Sequence, residues 1–471
     1  MLFPTYEFLV FFIIIFSLAI SLKKKVVLYK VFLLATSLIF YSFWSFNFLY
    51  LLVGSTVVNY LIVRAIYKNE HKKKFLIAGL ILNIIYLGIF KYYNFFANSL
   101  LEVLNSLNIP ANFQVLQIIA PVGVSFYVFR IVSHLVDSYN KNFPCPGLVD
   151  YAVYVTYFPQ IAAGPISRAK EFYYQLNAAN KYNYEIEEVI VLILSGLFKK
   201  YTLSSFLFNF TQLPFLSPQQ YSSVDLILAA ISYSCLIYVD FSGYSDLANG
   251  ISCLLGFKPI QNFNMPYQAL SLQEFWRRWH ISLSEWLRDY LYIPLGGSRY
   301  GKFRKYINLL LTMAIGGFWH GAGVNFIIWG VIHGVGLTVN HISKDLPKTI
   351  KLKPENLVNI LTPIFQWFLT FSFLTLSWVF FQAQSLEAAA NFFQGIIQSD
   401  NNFIQFNSWQ LYLVFIVIGL MNFYGDKFTK ILLSVFAIKN LFVQVGLVSM
   451  FVYGILMLGP STVPPFIYFS F

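Results

Sequence analysis

The sequence predicts an all-α, polytopic transmembrane protein with about 10–12 membrane segments around a central cavity. Of its 471 residues, 58% are hydrophobic and only 11% are charged, whereas a soluble domain carries about 25% charged residues. Apolar runs recur along the whole chain, each of roughly the 20 residues that a helix needs to cross the hydrocarbon core. The runs are continuous rather than alternating, which excludes a transmembrane β-barrel.

The net charge of +12 does not indicate nucleic-acid binding. The Lys and Arg residues lie in short clusters between apolar runs, a pattern typical of cytoplasmic loops. The three cysteines, Cys145, Cys235 and Cys253, lack metal-ligand spacing and are too few for a disulfide framework. We therefore expect the lipid bilayer to be the protein's surroundings, with no nucleic-acid partner and no metal site.

The charge pattern of the N-terminal part predicts its orientation. The first apolar run, 8–22, has no basic residue before it and is followed by three lysines. A secretory signal has the opposite polarity, so we predict a retained span with the N-terminus outside. Further runs return the chain to the inside at the basic segment 68–74 and outside again at 97–112, which has no Lys or Arg.

The C-terminal part follows the same rule. The segment 344–355 carries four lysines and should be cytoplasmic, and the last apolar run, about 441–459, should cross outward. We thus predict a multi-pass protein of the bacterial cytoplasmic membrane. Both of its termini are predicted to be external. We predict one transmembrane domain over 1–471, with N-terminal spans in 1–112, a core in 113–343, and C-terminal spans and an external tail in 344–471.

Three segments in the core interrupt apolar runs with Pro, Gly and charge. They are APVGVSFYVFR (120–130), YFPQIAAGPISR (157–168) and YVDFSGYSDLANG (238–250). We predict broken or re-entrant helices at all three, because irregular backbone at membrane depth is tolerated only where it lines a cavity or is buried in protein.

His320 lies in a long uncharged segment. Residues 307–343 contain no acidic or basic residue except histidine, and basic segments flank them on both sides. At 37 residues the segment is too long for one span, so we predict two short half-spans with a turn at the glycines of GGFWHGAG (316–323). A histidine at that depth costs several kcal/mol unless it has partners, which makes His320 a candidate functional residue.

His280 lies in SLQEFWRRWHISLSEWLRDYLYI (271–293), which mixes tryptophans with arginines. This composition predicts an amphipathic helix at the membrane interface. Its guanidinium groups suit either lipid phosphates or an anionic ligand.

The histidines point to proton transfer more than to other chemistry. The histidines show no H-x-x-x-H or Cys/His spacing for a metal, and no G-x-S-x-G motif for a serine hydrolase is present. A histidine general base in a membrane cavity remains, because its near-neutral pKa suits deprotonation of a hydroxyl. The alternative is that each histidine only hydrogen-bonds a neighbouring helix.

Long motifs in the chain resemble the membrane-bound O-acyltransferase family, in particular its bacterial branch of alginate (AlgI-like) and peptidoglycan O-acetyltransferases. The similarity covers nearly the whole chain and rests on FWRRWHISLSEWLRDYLYIPLGG (275–297), GGFWHGAGVNFIIWGVIHG (316–334), PVGVSFYVFR (121–130), YFPQIAAGPI (157–166), LIYVDFSGYSDLANG (236–250) and LSWVFFQAQSL (376–386). The resemblance implies that His320 is the catalytic base and His280 the second histidine of the site. It also implies acetyl-CoA as a substrate, with no resident cofactor. Candidate donor-binding residues are Arg277, Arg278, Trp319 and Asp246.

The C-terminal FIYFSF (466–471) permits two interpretations. A terminal aromatic cluster is typical of an interfacial belt. It also resembles an F-x-Y-F-x-F tail of polysaccharide acylation systems, in which the tyrosine is an acyl acceptor, although Ser470 replaces the usual Gln. The resemblance then implies that Tyr468 carries the acyl group on the external face.

The sequence therefore predicts an enzyme that moves an acyl group, expected to be acetyl, from a cytoplasmic thioester across the membrane to a cell-envelope polysaccharide. An extracytoplasmic acyltransferase is the expected protein partner. Two alternatives are D-alanyl transfer to teichoic acid, in which the donor is a carrier protein, and a non-enzymatic polymer-export transporter. The transporter is less favoured because no internal repeat is visible.

Overall fold

A computed structural model describes residues 3, 5–109, 115–178, 184–345, 356–398, 403–460 and 464–467. Within these ranges the regular structure is helical throughout. Eight helices are long and apolar enough to cross a membrane: 46–68, 72–106, 186–208, 223–254, 324–343, 361–382, 409–436 and 441–458. Two shorter apolar helices precede them. The prediction of an all-α polytopic membrane protein is confirmed.

The chain forms two compact units. The first contains Met1–Glu185 and Ala248–Ile260. Its helices are α1 (Tyr6–Leu22), α2 (Val26–Ser42), α3 (Phe46–Lys68), α4 (Lys72–Leu87), α5 (Tyr93–Ser106), α6 (Val124–Tyr139), α7 (Leu148–Thr156), α8 (Phe158–Ile161) and α9 (Ala169–Ala178). One π-helical turn, Gly88–Tyr92, joins α4 to α5.

Two of the predicted interruptions lie in this first unit and are confirmed. Helix α6 begins after Gly123, which has a left-handed φ of 70° and whose α-hydrogen faces the backbone of Ile161, so that no side chain fits there. Helix α7 ends at Thr156, and only the single turn α8 follows before an irregular segment. Proline and glycine therefore break the helices where the sequence indicated.

The second unit contains Ile186–Leu247 and Gln261–Phe471. Its helices are α10 (Ile186–Leu197), α11 (Ser204–Phe208), α12 (Gln212–Leu216), α13 (Ser223–Leu254, which continues into the first unit), α14 (Leu272–Arg278), α15 (Ile281–Leu287), α16 (Gly301–His320), α17 (Val324–Asp345), α18 (Asn356–Gln382), α19 (Leu386–Gln398), α20 (Trp409–Phe436) and α21 (Leu441–Leu458). Two π-helical turns, Phe198–Leu203 and Arg288–Tyr292, follow α10 and α15. Short 3-10 turns lie at Pro218–Gln220 and Pro266–Gln268.

The third predicted interruption, 238–250, is wrong. These residues continue the 32-residue helix α13 without a break. Gly243 does not end the helix, because it serves close packing. A side chain at Gly243 would meet the backbone of Gly196 and Lys200 on the neighbouring helix. Asp240 in the same helix bonds Lys200, Ser204 and the backbone of Ile467.

Helices α16 and α17 form a hairpin whose turn directly follows His320, as predicted. The helices have 20 and 22 residues, so they are longer than the expected half-spans. The difference arises because residues 301–306 of the basic segment form the first turns of α16 instead of a separate loop. Glycines hold the hairpin together: Gly317 lies against Gly330, and Gly330 lies against the backbone of Met313.

The segment 271–293 is not one interfacial helix. It is divided between α14, α15 and a π-helical turn, and its central residues Phe275, Trp279 and His280 are buried. The arginines lie on the outer side of α14, where Arg277 is exposed. The segment combines an apolar and a charged side, as its composition predicts, but the apolar side packs into the protein core rather than into lipid.

Candidate active site

His320 is the last residue of α16 and is buried. Its ring lies within an aromatic cage. The centroid distances are 4.8 Å to Trp319, 5.2 Å to Trp329 and 5.1 Å to Phe381. The cage surrounds the imidazole with apolar rings, which suits a group that transfers a proton in an apolar site.

A cavity of about 540 Å³ lies next to the turn that follows His320. The residues that follow His320 along the chain, Gly321, Ala322 and Gly323, form part of its wall. The rest of the described wall consists of Ser204, Phe208, Gln212, Tyr233, Leu236, Asp240, Asn325, Phe326, Gln382, Ala383, Gln384, Pro464, Pro465 and Ile467. A cavity of this size holds a small-molecule group with room for partial enclosure.

Asn325 fixes the loop that separates His320 from α17. Its side-chain Nδ2 donates to the carbonyl oxygens of Phe380 (3.1 Å) and Ala383 (2.7 Å) at the end of α18. Phe380 directly precedes Phe381, and Ala383 follows it by two residues. Phe381 is itself part of the cage around His320. The loop and the cage are thus tied to the same helix end.

His280 is buried between α14 and α15 and has a left-handed backbone, with a φ of 40°. Asn262 orients its ring. The Asn262 side-chain oxygen accepts hydrogen bonds from the backbone N–H and the hydroxyl of Ser282, and lies 3.1 Å from His280 Nδ1. Because that oxygen can only accept, Nδ1 carries the proton and Nε2 has a free lone pair. A left-handed non-glycine residue with an oriented ring is typical of a functional position.

Burial keeps His280 neutral. The residue lies outside the eight candidate spans, and desolvation lowers its pKa from 6.5 to about 3. Among the described residues, Nε2 makes no hydrogen bond. His280 is therefore neutral throughout the physiological pH range, and its Nε2 can accept a hydrogen bond.

One aromatic cluster connects the two histidines. Trp279, next to His280, lies 5.2 Å from Trp378, which lies 5.4 Å from Trp329, which in turn lies 5.2 Å from His320. These distances join ring centroids. The same buried cluster therefore borders both histidines of the predicted pair, although the two residues are 40 positions apart in the sequence.

A third histidine, His333, lies in the same cluster. Its Nε2 is 3.0 Å from the Ser377 hydroxyl, and its ring lies 4.6 Å from that of Trp329. Its partner on α18 indicates a role in joining α17 to α18.

The four candidate donor-binding residues differ in their surroundings. Arg278 is engaged by Glu274, with a 2.9 Å ion pair, and by the carbonyl of Asn264. Asp246 forms a 2.6 Å ion pair with Lys199. Trp319 is buried against His320, whereas Arg277 is exposed at the end of α14.

Lys200 and Asp240 are two further residues of the cavity region that the sequence does not predict to form a pair. In the structure the two side chains are buried and form a 2.5 Å ion pair at the cavity wall. A charged pair at membrane depth was the available signal, but nothing in the sequence indicates that residues 40 positions apart meet. Tyr468 lies outside the described residues.

The fold and the site define a multi-pass helical membrane protein with a buried histidine beside an internal cavity. The model of the MBOAT, membrane-bound O-acyltransferase family, matches residues 91–381. The chain therefore belongs to the membrane-bound O-acyltransferase family, and it is an acyltransferase.

Relatives agree with this assignment. A peptidoglycan O-acetyltransferase of Helicobacter pylori is 37% identical over 78% of this chain and 73% of its own length. A probable alginate O-acetylase AlgI of Pseudomonas putida is 34% identical over 93% of this chain and 94% of its own. A teichoic acid D-alanyltransferase of Streptococcus thermophilus is 30% identical over 55% of this chain and 68% of its own.

Proposed function

We propose that this protein moves an acetyl group from cytoplasmic acetyl-CoA across the membrane for O-acetylation of a cell-envelope polysaccharide. The observation that carries the proposal is the cavity whose wall continues directly from His320. The named substrates of the relatives support the polymer class, because an alginate and a peptidoglycan O-acetylating protein each match more than three quarters of this chain.

The chemistry requires one proton acceptor and one thioester. His320 takes the proton of an acceptor hydroxyl, and the oxygen attacks the thioester carbonyl. The new ester C–O bond forms as the C–S bond breaks, and the thiolate leaves and recovers a proton as the free thiol. Because the aromatic cage excludes water, electrostatic interactions with the tetrahedral intermediate are stronger there than in water.

Orientation and partners complete the proposal. The charge pattern favours external termini, so the acyl group must cross to the face that carries Tyr468. Tyr468 is then the acceptor of the acetyl group, and a separate extracytoplasmic acyltransferase takes it to the polymer. Arg277, exposed at the end of α14, remains the candidate for the donor phosphates.

A donor competition assay tests the proposed acyl group. Full-length protein in detergent is incubated with radiolabelled acetyl-CoA, with excess unlabelled acetyl-CoA or with a D-alanyl carrier protein as competitor. We expect label to enter the protein and only acetyl-CoA to compete. Competition by the carrier protein alone would assign D-alanyl transfer instead.

A further inference from the structure

A short described segment near the C-terminus, residues 464–467, lies against a buried pair of charges. We call residues 464–467 the tail segment, and Lys200, Asp240, Phe241 and Tyr244 the tail dock. The tail segment forms part of the cavity wall, together with the residues that follow His320. It therefore lies beside the candidate active site rather than at a remote surface.

We propose that the buried Lys200–Asp240 pair is a docking site for the tail segment and holds these residues, which precede Tyr468 in the sequence, against the cavity beside His320. Each charge of the pair bonds the backbone of the tail segment. Lys200 Nζ donates to the carbonyls of Pro464 (3.2 Å) and Pro465 (3.4 Å). Asp240 Oδ2 accepts from the backbone N–H of Ile467 (3.0 Å).

The pattern of donors and acceptors fits this segment. Prolines have no N–H, so Pro464 and Pro465 offer only carbonyls, and a lysine ammonium supplies the donors that they require. Ile467, the residue after Phe466, has a backbone N–H, and this N–H donates to the carboxylate of Asp240. The other oxygen of Asp240 is occupied by Lys200 and by the Ser204 hydroxyl.

Phe466 is the apolar anchor of the tail segment. It is 1% exposed, and its ring lies 4.8 Å from Tyr244 and 5.6 Å from Phe241. The Lys200 ammonium lies 5.8 Å from the same ring, within the range of a cation–π contact. An aromatic anchor beside directed backbone bonds is the arrangement by which proteins recognise a peptide.

The π-helical turn that contains Lys200, Phe198–Leu203, also bonds the end of α21, the helix before the tail segment. These bonds come from the two residues that follow Lys200. The Tyr201 hydroxyl donates to the carbonyl of Pro460 (2.8 Å), and the Thr202 hydroxyl donates to that of Ile455 (3.3 Å). Single π-helical turns in α-helices are frequent at functional sites.

A buried ion pair is by itself poor evidence for stability, because desolvation offsets the attraction between the charges. A pair kept only for folding is often replaceable by apolar residues of similar size. Here the remaining hydrogen-bonding capacity of both charges is directed at the tail segment. The inference rests on the proposed function for what Tyr468 carries, but the docking itself does not depend on it.

A charge exchange tests the docking. The double variant K200D/D240K keeps opposite charges together but places an acceptor against the proline carbonyls and a donor against the Ile467 N–H. We expect hydrogen–deuterium exchange of the Ile467 amide, in the full-length protein in detergent, to become about tenfold faster or more, the loss expected for at least one net hydrogen bond. Equal protection in the wild type and the exchange variant would overturn the proposal.

Two further variants make the result independent of whether the exchange variant folds. Phe466→Ala removes the anchor from the tail side and leaves every helix intact, and it should also release the Ile467 amide. Lys199→Met breaks the neighbouring ion pair with Asp246 and should leave that amide protected. Protection retained in Phe466→Ala, or lost equally in Lys199→Met, would refute a specific dock.

A transfer measurement separates positioning from general damage. In Phe466→Ala we expect the ratio of acetyl on Tyr468 to acetyl-CoA consumed to fall about tenfold. An unchanged ratio with a released Ile467 amide would contradict the positioning role. Absence of acetyl on Tyr468 in the wild type itself would reject the proposed acceptor while leaving the exchange result, and therefore the docking, to stand.

Discussion

His280 is held by a bond that distinguishes its two ring nitrogens. Nδ1 bonds Asn262, and Nε2 is the nitrogen available for chemistry. His280→Asn retains an amide N–H near the Nδ1 position and removes Nε2, whereas His280→Gln places an amide near Nε2 and loses the bond to Asn262.

If Nε2 takes part in catalysis, we expect His280→Asn to fold normally and to lose roughly 100-fold or more in kcat, the range for removal of a proton-transfer group. Transfer of labelled acetyl and thermal unfolding in detergent measure the two properties. Wild-type turnover in His280→Asn would assign the ring a purely structural role.

The buried neutral state of His280 also affects stability. Its pKa is lowered to about 3 in the folded protein and is near 6.5 when unfolded. Between these values the unfolded chain binds one proton more, so the free energy of unfolding falls as the pH is lowered below about 6.5. The thermal midpoint should decrease from pH 7 to pH 5, and less steeply in His280→Asn. The same slope in both proteins would exclude His280 as the cause.

Single residues could be predicted where their chemistry conflicts with their surroundings. His280 and His320 are polar rings in apolar sequence, and that contrast was sufficient to find them. Lys200 and Asp240 were not found as a pair, because their meaning depends on a contact between distant parts of the chain. Asn262, which orients His280, lies in a segment that reads only as a turn.

The helix hairpin α16–α17 depends on glycines at its crossing. A side chain on Gly330 would collide with the backbone of Met313, which cannot move aside as a flexible side chain can. We expect Gly330→Ala to destabilise the protein by about 1–3 kcal/mol through overpacking. Thermal unfolding in detergent measures the effect.

Gly419 provides the matched control. It also lies within a helix, α20, but no atom lies near the position that its side chain would occupy. Alanine has the better helix propensity, so Gly419→Ala should be neutral or stabilising. Equal destabilisation by both substitutions would contradict a specific packing role of Gly330 at the crossing.

Elements could be predicted where charge marks their ends. The uncharged stretch around His320 correctly predicted a hairpin, and Pro and Gly correctly predicted the breaks near α6 and α8. The prediction failed at 238–250, because glycine has two uses in a membrane protein. It ends helices, and it also permits close helix packing, as Gly243 does. The sequence does not distinguish these uses without knowledge of the neighbouring helix.

At the scale of the whole molecule, the proposed function requires an acyl group to reach Tyr468, on the face that the charge pattern predicts to be external. Tyr468→Phe removes one hydroxyl and should leave folding and donor binding nearly unchanged. It should nevertheless abolish acetylation of the external polymer, because the phenol oxygen is the proposed acceptor. Mass spectrometry of the C-terminal peptide should find an added acetyl on Tyr468 in the wild type. Normal polymer acetylation by the Phe variant would reduce the tail to an interfacial anchor.

The class of the molecule was the most predictable property, because composition and apolar run length follow directly from the solvent properties of the bilayer. The division of the chain into two compact units was not predicted. Its first unit includes a segment, Ala248–Ile260, that is distant in sequence from the rest of that unit. Such long-range assembly depends on three-dimensional packing and has no local signature.

The central claim is that His320 is the proton acceptor in thioester cleavage. The most direct measurement is release of free CoA thiol from acetyl-CoA, coupled to labelled product, in the wild type, His320→Gln and His333→Gln. His333 is a matched control, since it is a buried histidine of the same hairpin that bonds Ser377. We predict a loss of roughly 100-fold or more in His320→Gln and near-normal release in His333→Gln. Wild-type release in folded His320→Gln would contradict the account.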